Sequence, residues 1–88
     1  MPHEAVIVAG ARTAVGRAKK GTLVNYRPED MAKVAVEAAW QRAGNLDRVL
    51  ADDVIFGCAF PEGSQGLNIA RSIALNSGFP SSIPAMTI

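Results

Sequence analysis

Two nearly unbroken apolar runs, EAVIVAGA at residues 4–11 and DVIFGCAF at residues 53–60, limit what this chain can become. A strand wetted on one face alternates apolar with polar residues. These runs do not alternate, so each predicts a strand buried on both faces, as parallel strands are. Between them, RPEDMAKVAVEAAWQRAG at residues 27–44 carries a full set of helix signals. Pro28 suits the first helical position, Glu29 and Asp30 favour the positive end, and Gly44 follows the last turn. Met31, Val34, Ala35 and Ala38 share one helical face, widened by Val36 and Trp40, and the many alanines suit close packing on a sheet.

The remaining segments continue the alternation. Residues 12–27 form a long loop with Gly16 and Gly21 as breakers, and residues 45–47 form a polar turn. A second helix is expected over about residues 66–77, with Ile69, Ala70 and Ile73 on one face and Gly78 as its stop. Pro80, Ser81 and Ser82 reset the chain, and IPAMTI at residues 83–88 begins a third strand, with Pro84 tolerable near its start or on an unpaired edge. The pattern is βαβαβ, an α/β arrangement with a parallel sheet. With strands in the order 3-2-1 and right-handed crossovers, both helices fall on one sheet face and the apolar other face is left bare. A bare face of that kind needs a cover. Residues 1–88 are therefore expected to be the first part of a larger domain, ending within the third strand, with no repeat or linker to mark a second domain.

Composition excludes several classes. With 49% apolar and 19% charged residues and a net charge of +1, the 88-residue chain is globular in type. No block of Lys and Arg exceeds residues 17–20, which argues against a nucleic-acid footprint. No charged leader precedes an apolar signal segment, and no run approaches the ~20 apolar residues of a membrane span, so no membrane association is expected. One cysteine makes no internal disulfide, which fits a cytoplasmic setting.

That cysteine, Cys58, is the obvious candidate nucleophile. A reactive thiol needs a nearby histidine, helix N-terminus or cation to lower its pKa. The only histidine, His3, precedes the first expected strand, whereas Cys58 lies towards the far end of the second. In parallel neighbours those positions are about five residues apart at ~3.3 Å each. No dyad is expected; Cys58 reads as a core or near-core residue and His3 as a solvated terminal one. Gly10 and Gly16 follow a strand, yet Arg17 stands where a Walker loop has its Lys–Ser/Thr pair and no G-x-G-x-x-G occurs, so an ordinary loop is expected. Arg17, Lys19 and Lys20 read as a solvated charge cluster. Asp52 and Asp53 adjoin each other at a strand start, and no metal spacing stands out. No residue present could perform a reaction alone.

The ordered succession AVIVAGARTAVGR, VIFGCAFPEGSQGLNIAR and GFPSSIPAMTI closely resembles the N-terminal portion of thiolases, the acyl-CoA C-acyltransferases, across essentially the whole chain. Its most specific parts are the Arg12–Thr13 loop, the G-x-N-x-A-R helix start (Gly66, Asn68, Ala70, Arg71) and the final strand (Ile83, Pro84, Ala85, Met86, Thr87, Ile88). The loop reads RTAVG where many members have proline after Arg–Thr. The stretches RPEDMAKVAVEAA and GCAFPEGSQG are closer to the degradative, 3-ketoacyl-CoA branch.

The resemblance implies an αβαβα layered fold of two similar halves, which supplies cover for the bare sheet face. It implies no catalytic, cofactor or metal residue within these 88: the nucleophilic cysteine is expected shortly after Ile88, at the N-terminus of a helix that would favour its thiolate. It implies acyl-CoA substrates, with no separate cofactor, in fatty-acid metabolism such as beta-oxidation. It also implies a homodimer or homotetramer, with contacts from Ile83, Pro84, Ala85, Met86, Thr87 and Ile88. Cys58 matches a non-catalytic family position. The alternatives are a thiolase-like lipid- or CoA-binding protein without catalysis, and a free-standing small α/β interaction module.

Overall fold

Helix α1 spans Pro28–Arg42 and begins and ends where its sequence signals place it. Pro28 occupies the first turn, where its missing N–H costs nothing, and Glu29 and Asp30 lie against the positive end of the helix. Arg42 sits in the last turn, and Gly44 takes φ +107°, a left-handed conformation that glycine adopts readily. This computed structural model describes residues 3–17 and 19–88; Met1 and Pro2, and Ala18 of the expected loop, lie outside the described residues.

Two short strands follow, β1 at Val54–Phe56 and β2 at Ala85–Thr87, separated by helix α2 at Ile69–Asn76. They pair in parallel, with Val54 opposite Ala85, Ile55 opposite Met86 and Phe56 opposite Thr87. The ladder runs past the strand ends: Val54 N donates to Pro84 O at 3.0 Å, Ile88 N to Phe56 O at 2.9 Å and Cys58 N to Ile88 O at 2.9 Å. One face of this pair carries the half-buried Val54, Phe56, Ala85 and Thr87. The other carries Ile55 and Met86, which are about half exposed. That alternation follows from the period of two along a strand.

The core gathers around α2. Its Ile69, Ala70, Ile73 and Ala74 are buried, a stripe at helical spacing that packs against both strands and α1. Ala74, Phe79 and Ile83 form the central cluster, with Val36, Trp40, Ala51, Val54 and Ala85 packed around it. Arg48, from a 3-10 turn at Arg48–Leu50, lies over this cluster, its guanidinium carbon 5.6 Å from the Trp40 ring centroid and 5.8 Å from that of Phe79. Asp47 holds the turn by accepting a hydrogen bond from Val49 N. Trp40 Nε1 donates to Leu46 O, fixing the polar turn after α1 against the helix.

Three expectations are corrected. Residues 4–11 are not a strand: they belong to no sheet, and Val6, Ile7 and Val8 are 73%, 96% and 70% exposed. The observed order among the described residues is αβαβ, with the expected second and third strands adjacent and the first unpaired. The reason is physical. Fixing a residue costs about 1–2 kcal/mol in backbone entropy, and a run apolar on both faces recovers that only when layers cover both faces. Here one sheet face is open. The second correction is to length: residues 53–60 and 83–88 shorten to the two three-residue strands, and α2 begins at Ile69 instead of near Gly66. The third concerns α1, which has no fully buried residue; Val34, expected on its buried face, is 53% exposed.

Candidate functional site

Asn68, just before α2, has φ +66°, and the preceding Leu67 has φ +58°. A left-handed conformation costs a residue other than glycine roughly 1–2 kcal/mol, less for asparagine. Leu67 is 99% exposed and recovers none of this by burial. What offsets the strain is the bonding that the turn permits. Asn68 Nδ2 donates to Ala85 O at 3.0 Å, Thr87 Oγ1 donates to Asn68 Oδ1 at 2.7 Å, and Ala70 N donates to Thr87 Oγ1 at 3.0 Å. Each such bond contributes about 0.5–1.5 kcal/mol net, so three of them match the cost. The first turn of α2 is thereby tied to the far end of β2, using one of the helix's otherwise unpartnered N–H groups.

Arg71 ties α2 to the near end of the same segment. Its guanidinium donates through one nitrogen to Ile83 O at 2.6 Å and through the other to Ser81 O at 2.7 Å. A lysine has no such fork. The four residues of the sequence motif thus acquire separate jobs. Asn68 and Arg71 grip residues 81–87, and Ala70, with no exposed surface, brings the helix backbone close. Gly66 closes the 3-10 turn Gly63–Gln65 by donating to Gly63 O, where an added Cβ would lie 3.2 Å from that carbonyl oxygen.

Beside this clamp lies an open depression lined by Cys58, Pro61, Asn68, Met86, Thr87 and Ile88. Cys58 is half-buried, outside the central cluster. Its backbone continues the ladder, and its thiol donates to Gln65 Oε1 at 3.7 Å, an amide that cannot act as a base. His3 is exposed. The two residues are not brought together by any hydrogen bond among the described residues. Arg17, Lys19 and Lys20 are exposed, as a solvated cluster is. Their loop is closed by Gly21 N donating to Arg17 O at 2.7 Å, and a Cβ on Gly21 would lie 2.4 Å from Arg17 backbone atoms. Gly10 presents its carbonyl to Arg42, at 2.8 Å. Asp53 caps β1 by accepting from Val54 N at 2.8 Å. Among the described residues no group of three or more His, Cys, Asp or Glu is placed to hold a metal ion, and no helix is long and apolar enough to cross a membrane.

Of the strand residues expected at a subunit contact, Ile83 is buried in the core. Pro84, Met86 and Ile88 are exposed, while Ala85 and Thr87 are half-buried. Thr87, expected only at a subunit contact, instead bonds within the chain to Asn68 and Ala70. Its signal was a lone hydroxyl in an apolar strand, which needs a partner once it is covered.

A family model described as thiolase, N-terminal domain, matches residues 5–88. The chain is 51% identical over 85 residues to a 3-ketoacyl-CoA thiolase of Bacillus subtilis (strain 168), covering 97% of this chain and 22% of that relative. It is 40% identical over 87 residues to a 3-ketoacyl-CoA thiolase of Saccharophagus degradans, covering 99% of this chain and 22% of the relative. A 3-ketoacyl-CoA thiolase of Chromohalobacter salexigens is 38% identical over 87 residues, with the same coverage. The chain spans about a fifth of the length of these curated relatives.

Proposed function

Because this chain belongs to the thiolase family, matching its N-terminal domain over residues 5–88, we propose that it is the front part of an acyl-CoA C-acyltransferase working through a cysteine acyl-thioester. The observation that carries this reading is 51% identity over 97% of the chain to a protein named 3-ketoacyl-CoA thiolase. The substrates are acyl-CoA thioesters: the enzyme thiolyses 3-ketoacyl-CoA or condenses acetyl-CoA units, in fatty-acid metabolism of the beta-oxidation type, in the cytoplasm. No cofactor beyond the CoA thioesters is required. The nucleophilic cysteine follows shortly after Ile88, at a helix N-terminus whose N–H groups favour the thiolate. Its thiolate takes an acyl group from an acyl-CoA with release of CoA, or from a 3-ketoacyl-CoA with release of acetyl-CoA; the carbanion of an acetyl-CoA, or CoA itself, then accepts the acyl group and frees the thiolate.

In this reading the β1–β2 pair belongs to an αβαβα layered fold, whose later layers cover Ile55 and Met86. Residues 83–88 meet a second copy in a homodimer or homotetramer. Ile83 is buried in the core, so its side chain has no surface left for that contact.

The test is peptide mapping by mass spectrometry of the complete protein after incubation with acetyl-CoA. A thioester on a cysteine shortly beyond Ile88 supports the reading. Label confined to the peptide containing Cys58 overturns it. Binding of acyl-CoA with no covalent label identifies a binding protein of the same fold.

A further inference from the structure

We propose that the Asn68–Thr87 clamp is a positioning device for this chemistry, setting where the chain beyond Ile88 presents its cysteine; the inference rests on the acyl-enzyme reading above. A two-stranded parallel ladder of this length fixes register weakly by itself, because each backbone N–H finds a similar carbonyl after a slip. Asn68 removes that freedom. Its amide donates to Ala85 O and accepts from Thr87 Oγ1, spanning two residues of one strand, so a slip breaks both bonds. The Thr87 hydroxyl in turn accepts from Ala70 N, locking the strand to the helix axis as well. Arg71 restrains the lead-in through Ser81 O and Ile83 O. The strand is held at both ends, and the Asn68–Thr87 end adjoins Ile88. Neither side chain is assigned a contact with substrate; both act through the strand. A misplacement of about 1 Å in a reacting group can cost on the order of a hundredfold in rate.

The experiment uses the complete protein and the variants Thr87→Val and Asn68→Gly. Valine keeps the shape of threonine and deletes the hydroxyl. Glycine keeps the left-handed backbone and deletes the amide, so it isolates the clamp from backbone strain. Each variant is expected to lower kcat about tenfold or more with KM changed less than about threefold. The rate of iodoacetamide alkylation of the cysteine beyond Ile88 falls in parallel, and Thr87→Ser, which keeps the hydroxyl, restores both. Phe79→Leu, a core change outside the clamp, lowers the thermal midpoint without slowing alkylation. Wild-type kcat and alkylation rates in both clamp variants, or losses no greater than those of Phe79→Leu at equal thermal midpoint, overturn the proposal. If Thr87→Val does not fold, Asn68→Gly decides alone. Wild-type protein that acylates no cysteine beyond Ile88 brings down the acyl-enzyme reading and the clamp's role together. Normal wild-type labelling with unaffected variants brings down the clamp alone.

Discussion

Trp40 of α1 meets Phe79, just past α2, edge to face, with ring centroids 5.2 Å apart and planes at 89°. This contact joins the two helices beyond what apolar burial alone supplies, and the Arg48 guanidinium sits within 6 Å of both rings. An aromatic pair of this kind contributes about 0.5–1.5 kcal/mol over its buried area. Phe79→Ala should therefore cost about 3–5 kcal/mol, cavity included, and Phe79→Leu distinctly less. The check is the thermal midpoint of each variant of the complete protein. Equal midpoints for Phe79→Ala and wild type would show that the contact carries no weight.

Cys58 has an amide partner and no hydrogen-bonded base among the described residues, so its substitution should leave the chemistry running. Cys58→Ser or Cys58→Ala in the complete protein is expected to keep kcat within about an order of magnitude of wild type, equivalent to ~1.4 kcal/mol of barrier. Steady-state kinetics decide. A loss of several orders of magnitude in a folded variant would restore Cys58 as a candidate nucleophile.

Ser77, at the C-terminal end of α2, is 2% exposed and its Oγ has no hydrogen-bond partner among the described residues. A buried hydroxyl left unpaired costs about 1–3 kcal/mol, and alanine removes the group without opening a large void. Ser77→Ala is expected to match or exceed wild-type stability by up to about 1 kcal/mol. A clear fall in thermal midpoint would mean that the hydroxyl is satisfied in the complete protein.

Glu29 gives a pH dependence of known sign. Its own backbone N–H, and then the Arg27 guanidinium, hold its carboxyl below the ordinary value of 4.5, with partial desolvation opposing them. A depressed folded pKa contributes stability that is present above the unfolded value and lost as pH falls through the folded one. The midpoint difference between wild type and Glu29→Gln should be small, present at pH 6–7, and gone once the pH is below the folded value. Solvent screening keeps it small. A difference that grows on acidification would reverse the assignment.

The isolated 88-residue chain should lack a cooperative melt and bind ANS. Val6, Ile7 and Val8 are exposed, one face of the sheet is open, and a two-stranded sheet is marginal without packing on both sides. Calorimetry and ANS fluorescence test this. A sharp two-state transition from a monomer would favour a free-standing module.

How far the sequence could be read depended on whether a signal was local. Pro28, Glu29, Asp30 and Gly44 bracketed α1 because capping and dipole effects act within one turn. The pairing of β1 with β2 was legible from two apolar runs flanking a helix. The start of α2 was not, because Leu67 and Asn68 take left-handed conformations that neither residue type announces, and Gly66 drew the boundary too early. Residues 4–11 misled for a different reason: an apolar run records the burial a segment is suited to, and that burial needs a cover the described residues do not form. The candidate site was half visible. Asn68 and Arg71 stood out as part of a motif, but their partners are the backbone of residues 81–85 and the Thr87 hydroxyl, which only the folded geometry brings to them.

The open apolar stretch near the N-terminus has a consequence for synthesis. Val6, Ile7 and Val8 leave the ribosome well before α2 and β2, around which the core closes. At about 5–20 residues per second, the interval between them is on the order of ten seconds. Throughout it the nascent chain displays three adjacent branched apolar side chains with no interior to enter. Holdase chaperones bind unfolded apolar segments of this kind, and binding here would shield the growing polypeptide over that interval.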